Sequence, residues 1–188
     1  MVSTFEQDDE LKILLLTGQP GVGKTTVVTR LYSYYSARGL RIQGISTREI
    51  RENGVRLGFK IRDVGTGREG WLARKDYSAG PRVGPYHVIS EDLENIGVVG
   101  LQQAIQGPAD MIVVDEIGPM EMTSPAFRNV ISAILSGERP TVATVKLGSR
   151  YPEVERIRVR STQLEITKEN REEIFHKVTE YVDAWLKE

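Results

Sequence analysis

The sequence predicts an α/β fold in three layers, a mostly parallel sheet covered on both faces by helices. Three observations predict it. Apolar runs of strand length recur at 11–17, 40–47, 111–114 and 141–145, and near-continuous apolar strands are those buried on both faces. Segments with apolar residues at helical spacing lie between them, and alternating strands and helices build right-handed crossovers onto one sheet. A glycine-rich loop separates the first strand from the first helix, where open α/β sheets place their ligands.

The first strand, Leu11-Lys12-Ile13-Leu14-Leu15-Leu16-Thr17, ends on Gly18. Residues 24–38 then carry Val27, Val28, Leu31, Tyr32 and Tyr35 along one stripe, and Gly39 supplies the stop. Tyrosines on such a stripe are core residues far more often than base-stacking platforms. A second strand is expected at 40–47. From 54 to 74 the pattern becomes a hairpin, with alternating runs at 55–62 and 69–73 around Gly65-Thr66-Gly67.

Residues 75–88, rich in Gly and Pro, read as an irregular connection. Ser90 is the expected N-cap of a helix reaching about Gln106, with Glu91 and Asp92 in its first turn. A buried-type strand at 111–114 precedes a helix from about Ser124, with Pro125 in its first turn, to Leu135. After the strand at 141–145, residues 159–166 alternate less cleanly and read as a sheet edge. Thr167 or Lys168 opens a final amphipathic helix carrying Ile174, Phe175, Val178, Val182 and Leu186.

A chain of 188 residues, 39% hydrophobic and 27% charged, fits one domain with a sizeable core. That domain is expected over 11–188, after a flexible acidic extension at 1–10. The absence of cysteine excludes disulfide frameworks, thiolate metal sites and cysteine nucleophiles, and suits a cytoplasmic location. No apolar stretch approaches the ~20 residues that span a bilayer, so no membrane partner is expected, and the chain reads as a monomer. The net charge of −1 conceals two blocks. Residues 41–85 hold ten Lys/Arg against five Asp/Glu, and residues 86–138 hold one Arg against eight Asp/Glu. Such blocks are either solvated faces or the walls of a site for a polyanion and its cation.

The strongest motif is Gly18-Gln19-Pro20-Gly21-Val22-Gly23-Lys24-Thr25, a complete G-x-x-x-x-G-K-[ST] between strand and helix. The glycines permit a tight loop whose amides approach phosphate closely. The loop and the following helix N-terminus form a cup of partial positive charge. Lys24 reaches the β- and γ-phosphates of a nucleoside triphosphate, and the Thr25 hydroxyl ligates magnesium. Thr26 continues the helix start.

Asp115-Glu116 closes the strand at 111–114, at the end that borders the ligand crevice. Asp115 fits the acid that holds magnesium through water, and Glu116 the base that polarises an attacking water. Glu121 supports either the metal and water or simply a helix start. Thr144, late in its strand, is either a sensor of the γ-phosphate or an ordinary strand former. Arg48, Arg51, Lys146 and Arg150 compete as suppliers of transition-state charge. Asn170-Arg171, entering the last helix, either meets the base and ribose or caps the helix. His87 and His176 have no metal-like spacing and read as structural.

With the phosphate loop in place, three further stretches carry a family resemblance. These are Asp115-Glu116-Ile117-Gly118-Pro119-Met120-Glu121, Thr47-Arg48-Glu49-Ile50-Arg51 followed by Gly58-Phe59-Lys60-Ile61, and Asn170-Arg171. The chain resembles the THEP-type nucleoside-triphosphatases, related to the cancer-related nucleoside-triphosphatase of animals, from Lys12 to the last helix. The resemblance implies magnesium-dependent hydrolysis of ATP, GTP and other triphosphates to diphosphate and phosphate, with loose base preference. It also implies a RecA-like core with the acidic strand beside the phosphate-loop strand. Nucleotide-binding residues carry over to Gly18 through Thr25, and to Val113, Val114, Asp115, Glu116, Ile117, Gly118, Pro119 and Met120. The chain departs from the family pattern at Lys146, where a histidine is expected.

Two other readings stand beside hydrolysis. A nucleotide or small-molecule kinase fits the size, with residues 54–74 as a phosphate-covering lid. A nucleotide-regulated RNA- or protein-binding module would use the basic block, but no aromatic platform is interleaved with its arginines in the sequence.

Overall fold

Nine strands form one sheet in the order β5-β6-β4-β3-β2-β7-β8-β1-β9 in this computed structural model, which describes residues 10–187. The expected extension at 1–10 lies, apart from Glu10, outside the described residues. β1 (Ile13–Gly18), β2 (Ile42–Glu52), β7 (Met111–Ile117), β8 (Thr141–Lys146) and β9 (Thr162–Glu165) pair in parallel. β3 (Val55–Asp63), β4 (Glu69–Arg74), β5 (Arg82–Val83) and β6 (Tyr86–Val88) continue the sheet antiparallel from β2. The added hairpin is thus part of a larger antiparallel wing. The segment 54–74, expected as a lid in the kinase reading, is built of β3 and β4 within this sheet.

The continuous apolar character of β1 follows from burial on both sides. Ile13 and Leu15 enter one core cluster, Leu14 and Leu16 the other. α1 (Lys24–Ser36) and α6 (Arg171–Trp185) cover the second face, where Val27, Leu31, Phe175 and Val178 pack. Of the α1 tyrosines, Tyr35 is fully buried and its hydroxyl donates to Asp183 Oδ1 at 2.9 Å. The opposite face is covered by a long helix and by α4 (Pro125–Leu135). Ser124 caps α4 as expected, accepting from the Phe127 amide at 3.2 Å.

Four local expectations change. β2 runs past Thr47 to Glu52 because Asn53 and Gly54 both take positive φ, 49° and 78°. That is the two-residue turn that folds a twisted pair back on itself. The connection at 75–88 contains the small hairpin of β5 and β6. The helix starting at Ser90 has Ile89 at its cap, and it passes from α2 (Ser90–Asp92) through a π-helical turn, Leu93–Val98, into α3 (Val99–Gln106). Asp92 turns back to accept from the Trp71 amide at 2.7 Å, tying this helix to β4. The last helix opens at Arg171, after a turn at 168–170, and a short helix, α5 (Pro152–Glu155), precedes the edge strand.

One correction bears directly on the site. The acidic strand is not beside the phosphate-loop strand. β8 lies between β1 and β7, hydrogen-bonded to both. Its polar residue Thr144 is therefore flanked by the phosphate-loop strand and the acidic strand.

Candidate active site

The phosphate loop leaves β1 at Gly18 and enters α1 at Lys24, with φ of 156°, 78° and 106° at Gly18, Gly21 and Gly23. A Cβ at Gly18 would sit 2.5 Å from the Ile166 carbonyl oxygen, so the loop is also held by the segment leaving β9. α1 has Gly23 at its cap, no side-chain cap bond and no acidic residue in its first turn. Its first amides therefore remain available to a ligand, which makes this end a ready anion site. Lys24, only 8% exposed, donates from Nζ to Gly18 O at 2.9 Å and Gln19 O at 3.3 Å. Those bonds hold its ammonium over the loop.

Asp115 is 1% exposed, at the end of β7. Its Oδ1 accepts from Thr144 Oγ1 at 2.6 Å, while Oδ2 is buried with no hydrogen-bond partner. Burial pushes its carboxyl up, and Thr144, Thr25 and the charge of Lys24 oppose the rise. An orphaned carboxylate oxygen facing a threonine and a lysine of the phosphate loop suits a hydrated divalent cation, whose charge would offset the burial. Thr144 is fully buried and its hydroxyl is spent on the acid. The Asp115–Glu116 peptide bond is cis.

Glu116 lines an open cleft of about 630 Å³ together with Lys24, Thr25, Arg48, Arg51 and Arg56. Burial raises its carboxyl and Asp115 adds to the rise, while Lys24 and Lys146 lower it. Glu121 is buried. A Cβ at Gly118 would stand 2.8 Å from Glu121 Oε2 and 3.1 Å from Glu116 Oε1, so both carboxyls converge on this glycine. Desolvation, with the nearby charges of Glu116 and Asp115, drives Glu121 up to about 8. Tyr151, whose hydroxyl is also pushed up by burial, feels both glutamates.

The basic block faces this acidic one across the cleft. Arg48 reaches Glu69 at 3.1 Å, and Arg51 and Arg56 both bond Glu49. Of the four candidate cations, Arg48 and Arg51 line the cleft, Lys146 acts on Glu116 through its field, and Arg150 is not among the lining residues. Arg56, Glu49 and Phe59 also line it; Glu49 and Phe59 entered the sequence reading of the site only as part of the family resemblance, and Arg56 not at all. The Asn53-Gly54 turn is the signal that would have placed them, because it folds β3 back onto β2.

Asn170 does not cap α6 with its side chain. It accepts from the Thr167 amide at 2.8 Å and donates to Glu165 O at 2.9 Å, fixing the turn after β9. That turn sets Arg171 against the phosphate loop, where a Cβ at Gly23 would meet Arg171 Cδ at 2.8 Å. Arg30, Lys168 and Arg171 line a groove of about 280 Å³ beside Thr26. Val113, Val114 and Ile117 are fully buried in β7, so they place the acids without facing the cleft, and Gly118, Pro119 and Met120 turn the chain toward Glu121.

The histidines gather no metal set, and no group of three His, Cys, Asp or Glu suited to a metal occurs among the described residues. No helix among them is long and apolar enough to cross a membrane. Register does bring aromatics to the basic block. Lys60 pairs with Trp71 across β3 and β4, its Nζ 5.6 Å from the ring centroid, and the Arg74 guanidinium lies 4.6 Å from the same ring.

Comparison with known proteins places this geometry. The nucleoside-triphosphatase THEP1 of Thermofilum pendens is 47% identical over 134 residues, covering 71% of this chain and 73% of its own. That of Methanosarcina acetivorans is 41% identical over 167 residues, covering 88% and 94%. The crystal structure of THEP1 from Aquifex aeolicus superimposes with a TM-score of 0.80 at 29% identity, over 91% of this chain and 99% of that one. The solution structure of a human cancer-related nucleoside triphosphatase gives 0.76 at 32% identity, over 91% and 97%. A family profile described as NTPase matches residues 13–179. With a phosphate loop, a buried acid and a second glutamate gathered at one cleft, and relatives alike along most of their length, this chain belongs to the NTPase family.

Proposed function

We propose that the protein hydrolyses nucleoside triphosphates to diphosphate and phosphate with magnesium, at the cleft between the phosphate loop and the end of β7. The observation that carries this reading is the orphaned Asp115 Oδ2 facing Thr25, in a cleft that also holds Lys24 and Glu116.

The loop amides from Gly18 to Thr26 and the α1 N-terminus bind the phosphates. Lys24 exchanges its bonds to the loop carbonyls for phosphate oxygens. Thr25 and Asp115 would hold the metal, which would supply positive charge to the phosphates. Thr144 fixes the Asp115 carboxylate. Glu116 orients and deprotonates water toward the γ-phosphate, with its carboxylate form favoured by Lys24 and Lys146. Arg48 and Arg51, on the opposite wall, supply positive charge as the transition state spreads its own.

The groove beside Arg30, Lys168 and Arg171 supports base contact through stacking and charge. Neither reads a base edge, so such contacts would admit ATP, GTP and other triphosphates alike. Residues 11–188 act as one domain, as a monomer in the cytoplasm. The test is a panel of nucleoside triphosphates assayed for free phosphate with and without magnesium. Release confined to the magnesium arms and similar across bases supports the reading. Phosphate release that is indifferent to the metal refutes it.

A further inference from the structure

β2 returns directly into β3 through Asn53-Gly54, where a parallel crossover would have laid a helix. The helix of residues 90–106 covers β3 and β4 from one side, where it meets Ile61 and Gly70. The pleat sends the alternate residues to the other side, that of α1. These are Lys60 and Arg62 on β3, and Glu69 and Trp71 on β4. Register sets them in two rows with β2: Arg48, Lys60 and Trp71 in one, Ser46, Arg62 and Glu69 in the next. No residue of β3 or β4 enters the core cluster on this side among the described residues. The wing is covered on one face and open on the other.

The open face is basic and carries a ring. Trp71 is half-buried, with Lys60 Nζ 5.6 Å and the Arg74 guanidinium 4.6 Å from its ring centroid. Glu69 is shared by Arg48 at 3.1 Å and Lys60 at 3.8 Å, and Arg74 bonds Asp76 just beyond β4. Arg62 is exposed and makes no ion pair among the described residues. Arg48, Lys60, Arg62 and Arg74 therefore outweigh the two carboxylates. Residues two apart on a strand are about 7 Å apart, so the cations form a ladder across the sheet, not a closed pocket for one phosphate. The sequence interleaves no ring with these arginines; strand pairing supplies one.

We propose that this open face of β2, β3 and β4 binds single-stranded nucleic acid, with a base stacked on Trp71 and neighbouring phosphates held by Lys60, Arg62 and Arg74. A flat ring set among cations on an uncovered sheet matches a polymer that alternates bases with charged linkages. In a duplex the bases stack on one another and offer Trp71 no free face, so single strands are preferred. A polyanion without bases uses the cations and leaves the ring idle. Arg48 also lines the catalytic cleft, so the bound strand passes beside that cleft.

The experiment follows the fluorescence anisotropy of labelled oligouridine and oligodeoxythymidine with the full chain, without nucleoside triphosphate. Their duplexes with complementary strands, and inorganic polyphosphate as competitor, run beside them. Binding of either single strand is expected, and three phosphate contacts give log affinity against log salt a slope of about −2. Trp71→Ala should weaken binding by about tenfold or more, the scale of a lost stacking contact, and Trp71→Phe should restore most of it. Lys60→Ala and Arg62→Ala should each flatten the salt slope by about 0.7. Melting temperatures report whether each variant folds, and the two cation variants decide the matter if Trp71→Ala does not. No binding of either strand overturns the proposal. So does a duplex or polyphosphate bound as tightly as the single strands, or binding indifferent to every variant. Because no triphosphate is present, failure here leaves the hydrolysis reading standing.

Discussion

Thr144 Oγ1 donates a 2.6 Å hydrogen bond to Asp115 Oδ1, and among the described residues this is the bond that fixes the buried acid. It crosses from β8 to β7, between strands that a register shift at Val114/Ile117 has already displaced. The other oxygen, Oδ2, is left without a hydrogen-bond partner, in a carboxyl that also feels Thr25 and Lys24 of the phosphate loop. Thr144→Val keeps the shape and removes the donor. The expected outcome is a magnesium requirement raised by roughly tenfold or more, the usual effect of losing a group that orients a metal ligand. Metal titration of phosphate release measures it, and nucleotide binding without magnesium should stay near wild type.

Lys24→Ala should remove turnover and weaken triphosphate binding together. Its ammonium is the buried cation bonded into the loop itself, at Gly18 and Gln19. Equilibrium binding of a fluorescent triphosphate, beside the phosphate assay, tests both effects. Normal turnover would remove the loop from the chemistry.

Glu116→Gln should leave binding near intact and slow hydrolysis by roughly a hundredfold or more, the scale of a lost general base. A mild loss would move the base to Glu121, whose carboxyl converges with that of Glu116 on Gly118.

Lys146 stands where a histidine was expected, and its charge lowers the Glu116 carboxyl. Lys146→Ala removes that lowering, so the Glu116 pKa rises. The acid limb of the rate profile should then shift to higher pH, with the plateau rate less affected. An unmoved limb would show that Lys146 does not act on the base.

Glu121 titrates at about 8 in the fold, against an ordinary value of 4.5. A carboxyl raised on folding stabilises the native state while protonated, so its contribution is complete below about pH 4.5 and is lost as pH climbs through 8. Without metal or nucleotide, the melting temperature should fall between pH 5 and 8. Glu121→Gln, neutral at every pH, should flatten that slope. An equal slope in both proteins would place the titrating group elsewhere.

Much of this was legible in the chain because it is local. The phosphate loop needs glycines at three positions and a lysine and threonine after them, and eight consecutive residues declare it. The strands of the parallel half announce themselves because both their faces are buried, as Ile13 and Leu15 against Leu14 and Leu16 demonstrate. Ser124 with Pro125 marks its helix start by a bond three residues away. The acids at 115 and 116 were readable as a strand end.

The rest depended on strand order and register, which join residues far apart in sequence. Thr144 was ambiguous until β8 was found between β1 and β7, because nothing near residue 144 states which strands flank it. The antiparallel wing turned on a two-residue bend at Asn53-Gly54, and it alone brought Arg56 and Phe59 to the cleft and left the α1 flank uncovered. Glu121 is an ordinary helix-start carboxylate by sequence. Only the folding of the 117–121 turn takes it out of water and sets it against Glu116, and desolvation is a property of the surrounding packing, not of the residue.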